Sequence, residues 1–383
     1  MDDFQSILTA LLRGKLLKAP FIADKGESYR EAVEKRLNDY VRRIEELKTE
    51  GPITNWLKSN VEEIKLTNQI LIKALDEYLT GSAGKAYGQI EALMQKNFVR
   101  SHISKLREPL DGYTIDQHGG DALYRVREST TPLECRSQIF HIPFDRRDLV
   151  GTQRFSIAGL PCLYLGTSLY VCWQEMGKPD LNKLYLSHYK VNRQEDVGKI
   201  YVLDFAYSLE TLKHRNLEVF FSIDDHYKAE KSKAYLAIWP ILMCCSFNKE
   251  VMNANFNVEY VIPNLILQWI SKEKRPISGV RYFSTKTSQL RHSKVGINYV
   301  FPPSIHEPFS TGFCPELKKT FVFSKPVSWQ LLRTVNNEDV QHIKNFQLTD
   351  DLEKELVENY KATQFYSMER KMNKLLEFKS LGD

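Results

Sequence analysis

Residues 154–176, RFSIAGLPCLYLGTSLYVCWQEM, form a stretch apolar enough to be buried, yet it carries Arg154, Tyr164 and Glu175. Ions are rarely taken out of water alone, because desolvation costs several kcal/mol, roughly, for each unpaired one. These groups therefore pair with one another or face a cleft, and either outcome constrains how the chain around them folds. PCLYLG suits a central strand, with Leu163 and Leu165 on one face and Tyr164 on the other. TSLYVCWQEM reads as a helix leaving that strand, capped by Thr167 or Ser168, with Glu175 on its second or third turn. Such strand-to-helix corners commonly gather ligand groups in α/β proteins. From these residues alone, a structural brace between Arg154 and Glu175 and a functional site both stand open.

With 383 residues, 42% of them hydrophobic and 26% charged, the chain is long enough for two or three globular units. The net charge of +5 comes from 53 basic residues nearly matched by 48 acidic ones, so nothing here demands a nucleic-acid partner. The start, MDDFQSILTALLRGK, does not resemble a secretory signal, and no apolar stretch reaches the ~20 residues that span a bilayer. The six cysteines, Cys135, Cys162, Cys172, Cys244, Cys245 and Cys314, lack CxxC spacing and a nearby histidine pair. They read as reduced core residues of a cytoplasmic protein, and no metal site is expected.

From Ser28, the residues Val33, Leu37, Tyr40, Ile44 and Leu47 recur at spacings of four and three, the stripe of an amphipathic helix with a Ser28–Glu31 capping box. Further helices are expected over 54–79 and 82–98, making residues 1–110 a helical domain. Past EPLDGYTIDQHGGDA the character changes to short β-rich runs. ALYRVRE, PCLYLG, KLYLSHYKV, KIYVLDFAYS, SGVRYFST, GINYVF and KTFVFS are strand candidates, interleaved with helical TSLYVCWQEM, KAYLAIWPILMCC and NLILQWISK. Strands and long helices do not alternate regularly, which favours an α+β fold with a mixed sheet. Residues 331–383 are expected to add one or two helices packed on the outside.

In ALYRVRE the two-residue period sets Tyr124 and Val126 on one face and Arg125 and Arg127 on the other. If the first face is core, Arg125 points at a cleft or at solvent. SGVRYFSTK ends a strand with Ser284, Thr285 and Lys286, where a serine is most often a turn residue. TGSAGKAYG is not a phosphate loop, since Leu79 stands where the first glycine is required and Ala86 replaces the hydroxyl. Neither HExxH nor GxSxG occurs, and His141 in FHIPF reads as a semi-buried structural histidine.

The order of Arg125 in LYR, then RFSxxGxPxLYLGxSxxxCxxE from Arg154 to Glu175, then GVRYFS ending at Ser284, resembles the RES domain family, named for its Arg, Glu and Ser. The likeness covers roughly residues 120–330, with the eleven-residue interval from Tyr164 to Glu175 kept. Gln153 and Ser156 depart from the family's Gly and Asn, and the span between Glu175 and Ser284 is longer than in compact members. The resemblance implies an ADP-ribosyltransferase-like fold over 120–330 and an enzyme that consumes NAD+ as substrate, with no other cofactor. Hydrolysis or phosphorolysis of the nicotinamide–ribose bond leads, as in toxins and defence effectors checked by a separate antitoxin. Transfer of ADP-ribose to a protein or nucleic acid is the nearest alternative, and a non-catalytic module binding a nucleotide or partner is another.

On that reading Glu175 stabilises the cationic sugar or binds its hydroxyls, and Arg125 and Arg154 hold the pyrophosphate. Tyr164 packs against nicotinamide or ribose, Ser284 hydrogen-bonds the ribose or the attacking group, and Ser156 bears on how ribose or phosphate is held. The helical domain would mediate control by a regulatory partner or self-association into a homo-oligomer.

Overall fold

The computed structural model describes residues 2–110, 122–192, 200–214, 225–251, 254–272, 277–286, 294–304, 310–335 and 359–382. Six helices come first: α1 (Asp2–Leu11), α2 (Tyr29–Glu45), α3 (Pro52–Ser59), α4 (Val61–Leu79), α5 (Ala83–Gln95) and α6 (Asn97–Lys105). Strands β1 (Arg107–Pro109), β2 (Leu123–Glu128) and β3 (Leu163–Gly166) lead into the short helix α7 (Leu169–Glu175). After β4 (Leu184–Val191) and β5 (Tyr201–Phe205) come α8 (Leu209–His214), α9 (Asp225–Cys244) and α10 (Val261–Lys272). The chain then runs through β6 (Gly279–Phe283), β7 (Ile297–Phe301), α11 (Pro315–Thr320), β8 (Phe321–Phe323), β9 (Val327–Ser328), α12 (Trp329–Thr334) and α13 (Gln364–Leu375). The architecture is α+β, with a nine-stranded sheet in the order β1-β5-β6-β7-β3-β2-β4-β8 and β9 paired to β4.

Two compact units divide the chain. The first joins residues 1–108, 152–157 and 203–274. The sequence places a boundary near 110, close to the first crossing, but residues 203–274, read in the same span as the strands, group with the N-terminal helices. The reason lies in α9, whose KAYLAIWPILMC segment is apolar on every side and so must be covered all round. Tyr40 of α2 stacks on Trp239 of α9 at 4.2 Å and donates its hydroxyl to Leu236 O at 2.7 Å. The Ser28–Glu31 capping box starts α2 as its sequence predicts.

The single helix expected over 54–79 is two, broken at Asn60. Its carboxamide donates to Trp56 O at 2.8 Å, the local side-chain bonding by which asparagine competes with helix continuation. The helix expected over 82–98 likewise stops at Lys96, whose ψ of 134° is extended, and a new helix begins at Asn97.

The second unit joins residues 109–151, 158–202 and 275–383. From β6 through β7, β3, β2 and β4 to β8, every pairing is antiparallel. Helix α7 packs over β2 and β4, where Tyr124, Val126, Leu184 and Leu186 meet Leu169, Tyr170 and Val171. The described part of the C-terminal segment belongs to this core and is not an outer layer, since Leu332, Phe365, Met368 and Met372 are buried in the same cluster, whereas residues 336–358 lie outside the described residues. No helix of the described residues is long and apolar enough to cross a membrane.

Candidate active site

The site is built where β3 turns into α7. Gly166 ends the strand, and a Cβ there would lie 2.6 Å from Val171 Cγ1 and 2.7 Å from Cys172 Sγ. Only a residue without a side chain lets the helix fold back so tightly on its own strand. Ser168 caps α7, its Oγ accepting from Val171 N at 3.0 Å and donating to Val295 O at 2.6 Å. Cys172 ties the middle of the helix to β2 by an Sγ bond to Tyr124 O at 3.2 Å.

Glu175 is the last residue of α7, its side chain one third exposed. Its Oε1 accepts from Ser284 Oγ at 2.7 Å and from Asn298 Nδ2 at 2.8 Å, both buried side chains. Ser284 lies just past β6, and Asn298 sits in β7 opposite Tyr282 of β6 and Gly166 of β3, so the end of β6 and the neighbouring β7 each send one donor to the same carboxylate oxygen. Lys286 Nζ donates to the main-chain oxygen of Glu175 and stands 3.6 Å from Oε2. Two neutral donors thus fix the rotamer through Oε1. Among the described residues Oε2 makes no hydrogen bond and has only the loose approach of this lysine, which leaves it able to accept from a ligand.

Strands β2 and β3 share one residue pair, Tyr124–Gly166, whereas β2 runs beside β4 for six. They part beyond that pair, and Arg125 spans the parting by donating from Nη1 to Tyr164 O at 2.9 Å. Alternation from the shared pair puts Tyr164 on the face that carries Asn298 and α7, and Arg125 on the other. The guanidinium is desolvated enough for its pKa to fall below the usual arginine range. Burial, with Cys162 and Tyr282 as neighbours, pushes the Tyr164 phenol well above its ordinary value. Both groups are therefore held in low-dielectric surroundings, where a polar contact counts for more than in water.

Arg154 and Ser156 belong to the first unit. Arg154 is buried and donates to the main-chain oxygens of Cys245 at 2.7 Å and Phe247 at 2.5 Å, with its guanidinium over the Tyr260 ring. It satisfies carbonyls of the segment that follows the last residue of α9, Cys244, which are buried and need donors. Ser156 closes a local turn with Gln153 and donates its main-chain N–H to Asn264 Oδ1 at 2.8 Å. The four residues Arg125, Tyr164, Glu175 and Ser284 lie in the second unit, where Ser284 bonds the Glu175 carboxylate and Arg125 bonds the main chain of Tyr164.

Two groups at the carboxylate are absent from the sequence-derived set. Asn298 carries its own signal, a carboxamide inside the run INYVF whose other members are apolar and whose five residues are all buried. Such an amide must find partners. Lys286 gives no comparable signal, since a lysine after a strand is ordinary. His141 is neutral and structural, as its surroundings suggest: burial pulls it down to about 4, and Nε2 accepts the Cys314 N–H at 2.9 Å.

No family model and no solved structure matches the chain. Among curated proteins, the "Putative toxin YopC" of Bacillus subtilis (strain 168) is 32% identical over 301 residues, which is 78% of this chain. The match takes in 66% of that relative, so the chain spans just under two thirds of its length. By this likeness the chain is a relative of a protein named as a toxin.

Proposed function

We propose that this chain is an NAD+-degrading enzyme whose second unit resembles the RES and ADP-ribosyltransferase-like fold and whose catalytic carboxylate is Glu175. The observation that carries the reading is the fixed carboxylate: one oxygen held by Ser284 and Asn298, the other approached by Lys286 at 3.6 Å and without a hydrogen bond among the described residues. Nicotinamide is a good leaving group, so cleavage needs orientation and a negative charge near the developing oxocarbenium ion. The C1′–N bond breaks with its electron pair leaving on nicotinamide, and an oxygen of water or phosphate forms the new bond and gives up its proton. Glu175 Oε2 would accept from a ribose hydroxyl or face the cationic sugar. Arg125, a fork of fixed donors, would take pyrophosphate or ribose oxygens in the parting between β2 and β3. Tyr164 would offer its ring to nicotinamide or ribose. The toxin-named relative supports an activity harmful to a cell, and an antitoxin or other regulatory partner belongs to the same proposal.

The test is a product assay on NAD+ with and without phosphate, run beside Glu175→Gln. Free nicotinamide with ADP-ribose is expected, or ADP-ribose 1″-phosphate where phosphate is the acceptor. Label retained on protein or nucleic acid would move the reading to ADP-ribose transfer. Intact NAD+ after long incubation with concentrated protein would leave a binding module.

A further inference from the structure

Helix α7 carries the proposed catalytic carboxylate at its C-terminal end, but its N-terminal end is not secured by local residues alone. Ser168 takes the N–H of Val171. The N–H of Leu169 is taken at 2.7 Å by Glu369 Oε1, from helix α13, two hundred positions later in the chain. The same oxygen accepts the Tyr360 hydroxyl, and Glu369 is buried. Around it, Phe365 packs edge-on to Tyr170 at 5.3 Å and tilted to Trp173 at 5.6 Å, so α13 grips α7 by rings as well as by the bond. A seven-residue helix has few internal hydrogen bonds and takes its orientation from such outside contacts. Burying a carboxyl group in a core of rings is costly, and a leucine would pack there more cheaply. What the carboxyl group adds is an acceptor for the first N–H of α7.

We infer that Glu369 is a positioning residue for Glu175: it accepts the first N–H of α7 and so sets the angle at which the helix presents its terminal carboxylate to Ser284 and Asn298. The inference rests on the proposed role of Glu175. Residue 369 touches no substrate, and it acts through the helix.

The experiment uses the full chain with Glu369→Leu, which fills the space and removes the acceptor, and Glu369→Gln, which keeps an acceptor oxygen. The leucine variant is expected to melt somewhat earlier, because the Leu169 N–H and the Tyr360 hydroxyl lose their acceptor, but at temperatures where it is fully folded NAD+ turnover falls about tenfold or more, with KM within about twofold, because displacement of a catalytic group acts on the chemical step. Glutamine should restore most of the rate. Amide hydrogen exchange at residues 169–171 should quicken in the leucine variant while the β4 and β7 amides stay protected. Unchanged turnover with unchanged exchange in α7 overturns the inference, as does a rate that merely follows stability across the two variants. If the parent chain leaves NAD+ intact, the proposed reaction is what fails, and the exchange comparison still decides whether Glu369 holds α7. Should the leucine variant not fold, Glu369→Met, a flexible side chain of similar length without an oxygen acceptor, takes its place beside Glu369→Gln in the same comparison.

Discussion

At the scale of single residues, the contacts of Glu175 separate charge from shape. Glutamine at 175 fills the same space, and its carbonyl oxygen can still accept from Ser284 and Asn298, while an NH2 donor replaces Oε2 and the charge is lost. Turnover of NAD+ is expected to fall by ~10² or more with little change in melting temperature, since the side chain is partly exposed and the loss lies in transition-state charge. Arg125→Ala should act differently, raising KM more than it lowers kcat, because a pyrophosphate contact is made in the ground state as well. Arg154 gives the opposite contrast. It donates to main-chain oxygens at Cys245 and Phe247 within the first unit. Replacing it by methionine should cost on the order of 2–4 kcal/mol in chemical denaturation, because two buried carbonyls lose charged donors. A rise in KM without loss of stability in that variant would return Arg154 to the substrate.

At the scale of elements, α7 joins the core chemistry to the site, and its anchor has a pH signature. Burial pushes the Glu369 carboxyl up from its ordinary value to about 8, against the opposing bonds from Tyr360 and Leu169. Tyr124 of β2 and Cys172 of α7 share that surround, and burial raises both, Cys172 to about 12, so neither titrates near neutrality beside Glu369. A folded pKa above the unfolded one means that its share of stability is complete below about pH 4.5 and is lost as pH rises towards 8. The parent chain should lose up to about 3–5 kcal/mol over that range from this group, and Glu369→Gln should remove that loss while leaving the opposite contribution of the buried His141 and His188, which favours the folded chain as pH rises. Denaturation at pH 5 and pH 8 checks it, and equal slopes in both proteins would count against a buried carboxyl. The sequence shows α7 because TS caps an apolar run, and it shows the strands because short β-rich runs are bounded by turn residues. It does not show the anchor of α7: Glu369 sits in YSMERKMNKLL, which reads as an ordinary polar helix, and its burial depends on a contact far along the chain. The main-chain partners of Arg154 are not legible for a related reason, since they lie 91 and 93 positions on and the motif around it says nothing of them. Glu175 with Ser284 is legible as motif, whereas Asn298 completes the carboxylate cage only once β7 is seen between β3 and β6.

At the scale of the whole molecule, a toxic enzyme and a toxic binding module differ in dose. A binder must be present at about the level of its target, while a catalyst acts below it, because each copy turns over many times. Likeness to a toxin-named protein does not choose between the two. Induction of the chain in a bacterial host, titrated from low expression upwards, is expected to halt growth and lower cellular NAD+ at levels where Glu175→Gln, folded and equally abundant, does neither. Because Glu175→Gln changes one side chain at the end of α7 and leaves the rest of the surface intact, a partner-binding toxin would tolerate it. Growth arrest by both proteins at the same dose, with NAD+ undiminished, would remove catalysis from the toxic effect and leave the fold as a binding surface. Arrest confined to the parent chain and matched in time by NAD+ loss would tie the cellular outcome to the carboxylate that Ser284 and Asn298 hold in place.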